Sequence, residues 1–112
     1  MKKNQKRRKK EYLSHFTLAG FTYYDGVEVF NELKIGTLLE IERETDNPYD
    51  PMAIMIFYND YHLGYIPQEE NAIFYKLLKV GINNIELRIQ SIAPQEHPES
   101  QIRIVAHLVE NK

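Results

Sequence analysis

The fold is constrained most strongly by one proline-rich segment, D-N-P-Y-D-P at positions 46–51, which leads straight into an apolar run at 52–58. Each proline fixes its own φ angle and pushes the residue before it towards extended geometry. We therefore expect a stiff, kinked loop that ends on a strand. Such a loop would hold an aromatic ring, Tyr49, and a carboxylate, Asp50, side by side at the mouth of that strand.

Six short segments carry strand patterns: 14–19, 38–44, 52–58, 61–66, 85–90 and 102–108. Most of them alternate apolar and polar residues, which is typical of half-buried strands. The run 52–58 is apolar at nearly every position and is predicted to be a central strand covered on both faces. Asn59-Asp60 has the composition of a hairpin turn between this strand and its partner at 61–66.

The segment 67–80 is predicted to form a helix. Pro67 suits a first helical position, Lys76 and Lys79 suit the last turn, and Gly81 suits the stop. The predicted apolar stripe consists of Ile73, Phe74, Leu77, Leu78 and Val80. One irregular helical turn is predicted at 27–33. Together these elements predict a mainly β domain of the α+β class, with six strands and one or two helices. Strands this short, at this spacing, favour a small barrel or a strongly bent sheet.

Charge divides the chain into two parts. Seven of the 14 Lys and Arg residues lie in the first ten positions, so the remainder carries seven basic residues against all 16 acidic ones, a balance of -9. We predict a basic, disordered arm at 1–10 and a single domain at 11–112. The arm could seek phosphate groups, or it could be a solubilising tail.

Several function classes are disfavoured by composition. The sequence has no Cys, which excludes disulfides, thiolate chemistry and a Cys-ligated zinc site. It has no apolar run of ~20 residues and no secretory signal pattern, so we expect no membrane partner and a cytoplasmic location. The four His lack metal-ligand spacing, and no Gly-rich phosphate loop is present. We therefore predict no cofactor, no metal site and no enzymatic activity.

The order and spacing of several motifs resemble the HIRAN domain over about 16–108. The matching pieces are Y-Y-D-G at 23–26, Gly36, E-R-E at 42–44, N-P-Y-D at 47–50, Ala53-Ile54 and G-Y-I-P at 64–67. The resemblance implies a compact barrel similar to an OB-fold with helices packed outside. It also implies a standalone bacterial-type member of a family that is found fused to chromatin-remodelling helicases.

The resemblance implies that this domain binds single-stranded DNA at its free 3′ end. It therefore also implies a role in DNA repair. Tyr49 and Tyr23 would hold the terminal base, and Asp50 would accept a hydrogen bond from the 3′-hydroxyl. Asn47 would hold the loop or touch the backbone. DNA-binding members place basic residues where this chain has Thr22 and Gln68, so two phosphate anchors are missing.

Three further residues are candidates for the same site. Arg43 is a cation near the loop, which could contact a phosphate or pair with neighbouring carboxylates. Tyr24 could line the groove or pack at the rim, and Tyr65 is expected mainly to pack. The Asp50 carboxylate could equally cap nearby backbone amides.

The leading hypothesis is a non-catalytic module that recognises a 3′-hydroxyl end of single-stranded DNA, with a helicase or nuclease as a further partner. The alternative is a protein-interaction or adaptor module, favoured by the acidic body and the uncharged Thr22 and Gln68. A metal-dependent nuclease that uses Asp46, Asp50 and the glutamates at 40, 42 and 44 is a third and weaker option, because those glutamates fit a solvated strand edge.

Overall fold

The computed structural model of the chain describes residues 8–21, 24–97 and 101–111, and Thr22 and Tyr23 lie outside this range. Its strands are β1 (Lys10–Thr17), β2 (Leu38–Arg43), β3 (Ile54–Tyr58), β4 (Tyr61–Tyr65), β5 (Ile85–Ile92) and β6 (Ile102–Val109). Its helices are α1 (Gly26–Val29), followed by a 3-10 turn at Phe30–Glu32, and α2 (Asn71–Lys79). The predicted irregular turn at 27–33 is thus confirmed.

The six strands form one sheet in the order β1-β6-β5-β2-β3-β4, with every neighbouring pair antiparallel. β2 joins its two halves, because its start pairs with β5 and its later residues pair with β3. Among the described residues, the segment after β1 meets the end of β4 through one isolated bridge between Ala19 and Tyr65, with N···O distances of 3.0 and 2.9 Å. The sheet is therefore strongly bent and barrel-like, as the OB-like prediction requires.

The core lies inside this bend. On β2 it follows the predicted alternation, since Leu39 is buried and Glu40 is exposed. On β3, which was predicted to be covered on both faces, Ile54 and Ile56 are fully buried but the residues between and after them are only partly buried, so one face alone is fully covered. Phe74 of α2 is also fully buried. The Phe74 ring meets Phe16 edge to face at 5.9 Å. Burial of one such ring contributes roughly 1.5–3 kcal/mol, so this contact fixes α2 against the sheet.

The start of α2 differs from the prediction. Pro67 does not occupy a first helical position, because the Glu70 N–H donates to the Pro67 carbonyl at 2.9 Å and closes a separate turn. The helix begins four residues later, at Asn71. Its buried face also differs from the predicted stripe, since Ile73 is 45% and Val80 73% exposed.

The boundary between the basic arm and the folded domain also differs from the prediction, which placed residues 8–10 in the arm. Lys10, placed in the arm by its charge, is the first residue of β1 and pairs with Val109. The backbone N–H of Lys9 donates to Glu110 at 2.8 Å, and the Arg8 guanidinium donates to the Glu110 carbonyl at 2.8 and 3.2 Å. Arg8 to Lys10 therefore pack with the folded body. Residues 1–7 lie outside the described part of the chain.

Candidate nucleic-acid interface

Asn47 organises the proline-rich loop. Its side-chain oxygen accepts hydrogen bonds from the backbone N–H groups of Tyr49 and Asp50, at 2.8 and 2.9 Å. Its amide nitrogen donates to the Glu44 carboxylate at 2.7 Å. An Asn side chain that bonds the backbone two and three residues ahead locks a turn without any tertiary contact. The loop is thus stiff for a second reason besides its two prolines.

The Asp50 carboxylate connects the loop to α2. One of its oxygens accepts from the Met52 backbone N–H and the other from the Asn71 side-chain amide, both at 2.9 Å. Asn71 is 1% exposed, and this hydrogen bond is what satisfies its buried amide. An ionised carboxylate offers about four lone-pair sites, of which two are used here. Asp50 therefore caps the turn, as one reading of the sequence held, and can still accept a hydrogen bond from a ligand.

A third polar contact anchors the other side of the loop. The Tyr65 hydroxyl donates to the same Glu44 oxygen that Asn47 contacts, at 2.6 Å. The hydrogen bonds from Tyr65 and Asn47 outweigh desolvation and lower the pKa of Glu44. Desolvation, followed by the bond to Glu44, raises the pKa of Tyr65 well above its usual value. Tyr65 is therefore a neutral donor at physiological pH.

A pocket of about 240 Å³ lies beside this loop. The loop forms one wall through Asn47, Tyr49 and Asp50. The facing residues come from both sides of the bridge between Ala19 and Tyr65, and they are Ala19, Tyr24, Tyr65, Ile66, Pro67 and Gln68. The Tyr49 ring stands at the rim with 90% of its surface exposed. The structure thus brings together five of the seven predicted site residues: Tyr24, Asn47, Tyr49, Asp50 and Tyr65.

The Tyr24 ring is held at the pocket by two other rings. It lies 4.3 Å from His62 at an angle of 32°, and it meets Tyr65 nearly edge-on at 5.5 Å. His62 in turn stacks on Phe57 at 5.2 Å. The backbone N–H of His62 donates to the Asp25 carboxylate at 3.1 Å. Sequence reasoning missed this supporting role of His62, whose sole signal was its place in the predicted hairpin.

The backbone beside the pocket has no room for a side chain at Gly64. A Cβ atom there would lie 2.2 Å from the Ala19 carbonyl oxygen, far inside contact distance, and Gly64 has a φ of 156°. The backbone bridge between Ala19 and Tyr65 forms directly beside it. The predicted G-Y-I-P motif therefore carries a packing requirement at its glycine.

Arg43 lies away from the pocket. Its guanidinium stands over the Tyr75 ring of α2 at 5.5 Å, and the described part of the chain shows no ion pair between Arg43 and a carboxylate. Among the described residues, the expected carboxylate pair of Arg43 is thus replaced by a contact with α2, whereas its contact with a phosphate stays a prediction. Tyr23, the remaining predicted site residue, falls outside the described residues.

The described residues include no cluster of three His, Asp or Glu side chains that could hold a metal ion. Glu40 and Glu42 are exposed on β2, and Glu44 is engaged by Asn47 and Tyr65. Within the same residues, α2 has nine residues and no helix reaches the length and apolarity of a membrane span.

Comparison with known proteins gives two matches. The family model of the HIRAN domain matches residues 12–109. A crystal structure of a Lactobacillus plantarum protein, a structural genomics target, superposes with a TM-score of 0.79 at 22% identity, covering 94% of this chain and 100% of that one. At that identity the second match shows a shared fold. No curated protein sequence matches the chain significantly.

Proposed function

Since the chain belongs to the HIRAN domain family, whose domain is a nucleic-acid-binding module, we propose that it binds a free 3′-hydroxyl end of single-stranded DNA without catalysing a reaction. The observation that carries this proposal is the pocket beside Asp50, with the exposed Tyr49 ring at its rim. Its volume of about 240 Å³ suits one terminal base better than a longer segment.

The proposed roles follow from the chemistry of the wall. Tyr49 would stack on the terminal base, a contact worth about 1–3 kcal/mol per base. Asp50 would accept the hydrogen bond of the 3′-hydroxyl with a lone pair that Met52 and Asn71 leave unused. A carboxylate repels a phosphate, so a 3′-phosphate end should be rejected. Tyr24 and the predicted residue Tyr23 would complete the aromatic grip.

Affinity should be modest because the pocket offers little positive charge. Gln68, a basic position in DNA-binding relatives according to the family resemblance, is on the wall and uncharged. The basic residues before β1 would supply the attraction to phosphate. Neutralisation of phosphates by Lys and Arg makes binding fall with salt, at a log–log slope of about -0.7 per phosphate for single strands.

The test is fluorescence anisotropy with a short labelled oligonucleotide that ends in a 3′-hydroxyl or a 3′-phosphate. We expect the parent to prefer the hydroxyl end and Tyr49→Ala to lose about tenfold in affinity. Asp50→Asn should lose the preference between the two ends. Tyr12→Ala is the matched control, because Tyr12 is 59% exposed and lies on β1, away from the pocket. Equal affinity of the parent for both ends would exclude hydroxyl recognition.

The adaptor alternative is separated by the same assay. It predicts that no oligonucleotide binding depends on Tyr49, and that neutralising the arm abolishes all binding. A parent that binds oligonucleotides only through the arm would support this alternative, with the pocket left for a peptide or partner domain.

A further inference from the structure

A cluster of positive charge lies where the end of β2 meets α2. The Arg43 guanidinium carbon stands 5.5 Å from the centroid of the Tyr75 ring, and the Lys79 ammonium nitrogen stands 5.7 Å from the same centroid. Lys76 is exposed and lies three residues before Lys79 on the helix, so these two side chains are neighbours. We call these four residues the α2 basic patch. They do not line the pocket beside Asp50.

The charge of the patch is not neutralised by carboxylates within the described part of the chain. None of its three cations forms an ion pair there. The helix contains no Asp or Glu between Asn71 and Lys79. Glu42 and Glu44 flank Arg43 at the end of β2, but their side chains point to the opposite face because strand side chains alternate. An anion that approaches this surface therefore meets three unpaired cations.

The helix dipole explains only part of this arrangement. Lysines in the last turn of a helix interact favourably with its partial negative charge, but Arg43 belongs to another element. Positions 11–112 hold seven basic residues against 16 acidic ones, and three of the seven lie in this patch. Cations gathered in this way repel one another, and a bound anion would relieve that repulsion.

The patch lies one helical turn beyond the wall of the pocket. The Asn71 amide donates to the Asp50 carboxylate at 2.9 Å. Tyr75 and Lys79 follow Asn71 at intervals of four residues, which places them about 6 and 12 Å further along the helix axis. Surfaces of the OB type hold about 4–16 nucleotides, whereas the volume of the pocket suits one base. A strand that ends in the pocket therefore needs a neighbouring surface, and the patch is within its reach.

We propose that the α2 basic patch contacts the phosphate groups of the single strand that the protein binds. The inference rests on the proposed function, and it assigns to the folded body a phosphate-binding surface besides the basic residues before β1. A guanidinium offers five N–H donors and an ammonium three, and contact with the Tyr75 ring leaves them available to phosphate oxygens. Such contacts read no base, so they add affinity and salt dependence without changing which end is preferred.

The test is the salt dependence of affinity, measured by fluorescence anisotropy with a labelled single strand of about ten nucleotides that ends in a 3′-hydroxyl. The Gln pair combines Lys76→Gln with Lys79→Gln, both at exposed positions. Loss of two phosphate contacts should make the log–log slope shallower by about 1.4, at about 0.7 per contact. The affinity advantage of the parent over the Gln pair should thus shrink about sevenfold between about 50 and 200 mM salt.

Two controls separate a local contact from a general loss of charge. The Arg pair, Lys76→Arg with Lys79→Arg, preserves the charge and should keep the slope of the parent. Lys34→Gln removes one exposed charge beyond the opposite end of β2. It should change the slope by much less than the value of about 0.7 expected for a direct contact.

The outcomes for the patch and for the pocket can be told apart. The Gln pair should keep the parent's ratio of affinities for 3′-hydroxyl and 3′-phosphate ends, because Asp50 is untouched. If the parent prefers the hydroxyl end and the Gln pair leaves the slope unchanged, the patch proposal alone is overturned. A change of slope per charge as large in Lys34→Gln as in the Gln pair would also overturn it.

A parent without end preference gives the converse result. If its slope still falls in the Gln pair and not in the Arg pair, hydroxyl recognition is excluded and the patch is supported as a phosphate-binding surface. A parent that binds no single strand at all would overturn both proposals.

Discussion

Asn47→Ala is expected to dismantle the loop beside the pocket with the loss of very few atoms. It deletes three hydrogen bonds at once: two accepted from the backbone of Tyr49 and Asp50, and one donated to the Glu44 carboxylate. A neutral bond contributes about 0.5–1.5 kcal/mol net, and a bond to a charged group about 1.5–3 kcal/mol. Because Asn47 is half-buried and water can replace part of the loss, the lower limits apply, giving about 2–2.5 kcal/mol.

The assay is thermal and urea denaturation of the parent and the variant. With an unfolding entropy of about 2.1 cal/mol/K per residue, a chain of 112 residues should lose about 10 °C in Tm. Thr45→Ala is the matched control, an exposed change in the same loop with an expected effect within about 0.5 kcal/mol. If Asn47→Ala lowered the free energy of unfolding by less than about 0.5 kcal/mol, the view that this side chain organises the loop would be refuted.

The variant Asn47→Asp tests the contact between residue 47 and Glu44 separately from the backbone hydrogen bonds. It keeps the two bonds accepted from the backbone but sets a second carboxylate against Glu44, so repulsion raises the folded-state pKa of the pair. Relative to the parent, the variant should be least stable near neutral pH and should recover as the pH falls towards about 4. A pH-independent difference between the two proteins would argue against the contact with Glu44.

Three further outcomes test other parts of the structure. Gly64→Ala should cost at least about 2 kcal/mol in urea denaturation, because its Cβ would press on the Ala19 carbonyl; a neutral effect would contradict the close approach. The lowered pKa of Glu44 means that its stabilising bonds are present above its ordinary value of 4.5 and are lost as the pH falls through the lower folded value. The Tm difference between the parent and Tyr65→Phe should therefore shrink between about pH 5 and pH 3, as followed by circular dichroism, and a constant difference would count against this bond. Phe74→Ala should cost about 3–5 kcal/mol by denaturant titration, and a loss under 1 kcal/mol would show that α2 is not fixed by this ring.

The strands were predictable because their signals are local. Alternation between buried and exposed positions, as at Leu39 and Glu40, needs no knowledge of the rest of the chain. The hairpin at Asn59 is equally local, since Asn tolerates the positive φ of 52° that the turn requires. The prolines and Asn47 likewise predicted a stiff loop, and the contacts of Asn47 give that loop its second lock.

Long-range contacts set the parts that the sequence did not predict. Asn71 joins Asp50 across 21 positions, which helps to explain why α2 begins at Asn71 rather than at Pro67. Arg43 contacts Tyr75, a residue 32 positions away on the helix, instead of its acidic neighbours. Neither the contact between Asn71 and Asp50 nor the one between Arg43 and Tyr75 could be predicted from a period or a spacing in the sequence. Sequence reasoning treated Glu44 as a solvated edge, although its place three residues before Asn47 was a usable signal.

The double anchoring of Asp50 has a consequence for binding energetics. A free carboxylate side chain must give up rotational freedom when a ligand fixes it, and that ordering subtracts from affinity. Here the Met52 amide and the Asn71 side chain have already selected one rotamer in the folded protein. Any hydrogen-bond donor that reaches Asp50 therefore meets an acceptor whose orientation was fixed during folding. Under the proposed function, this orientation would let a small contact area discriminate between a hydroxyl end and a phosphate end.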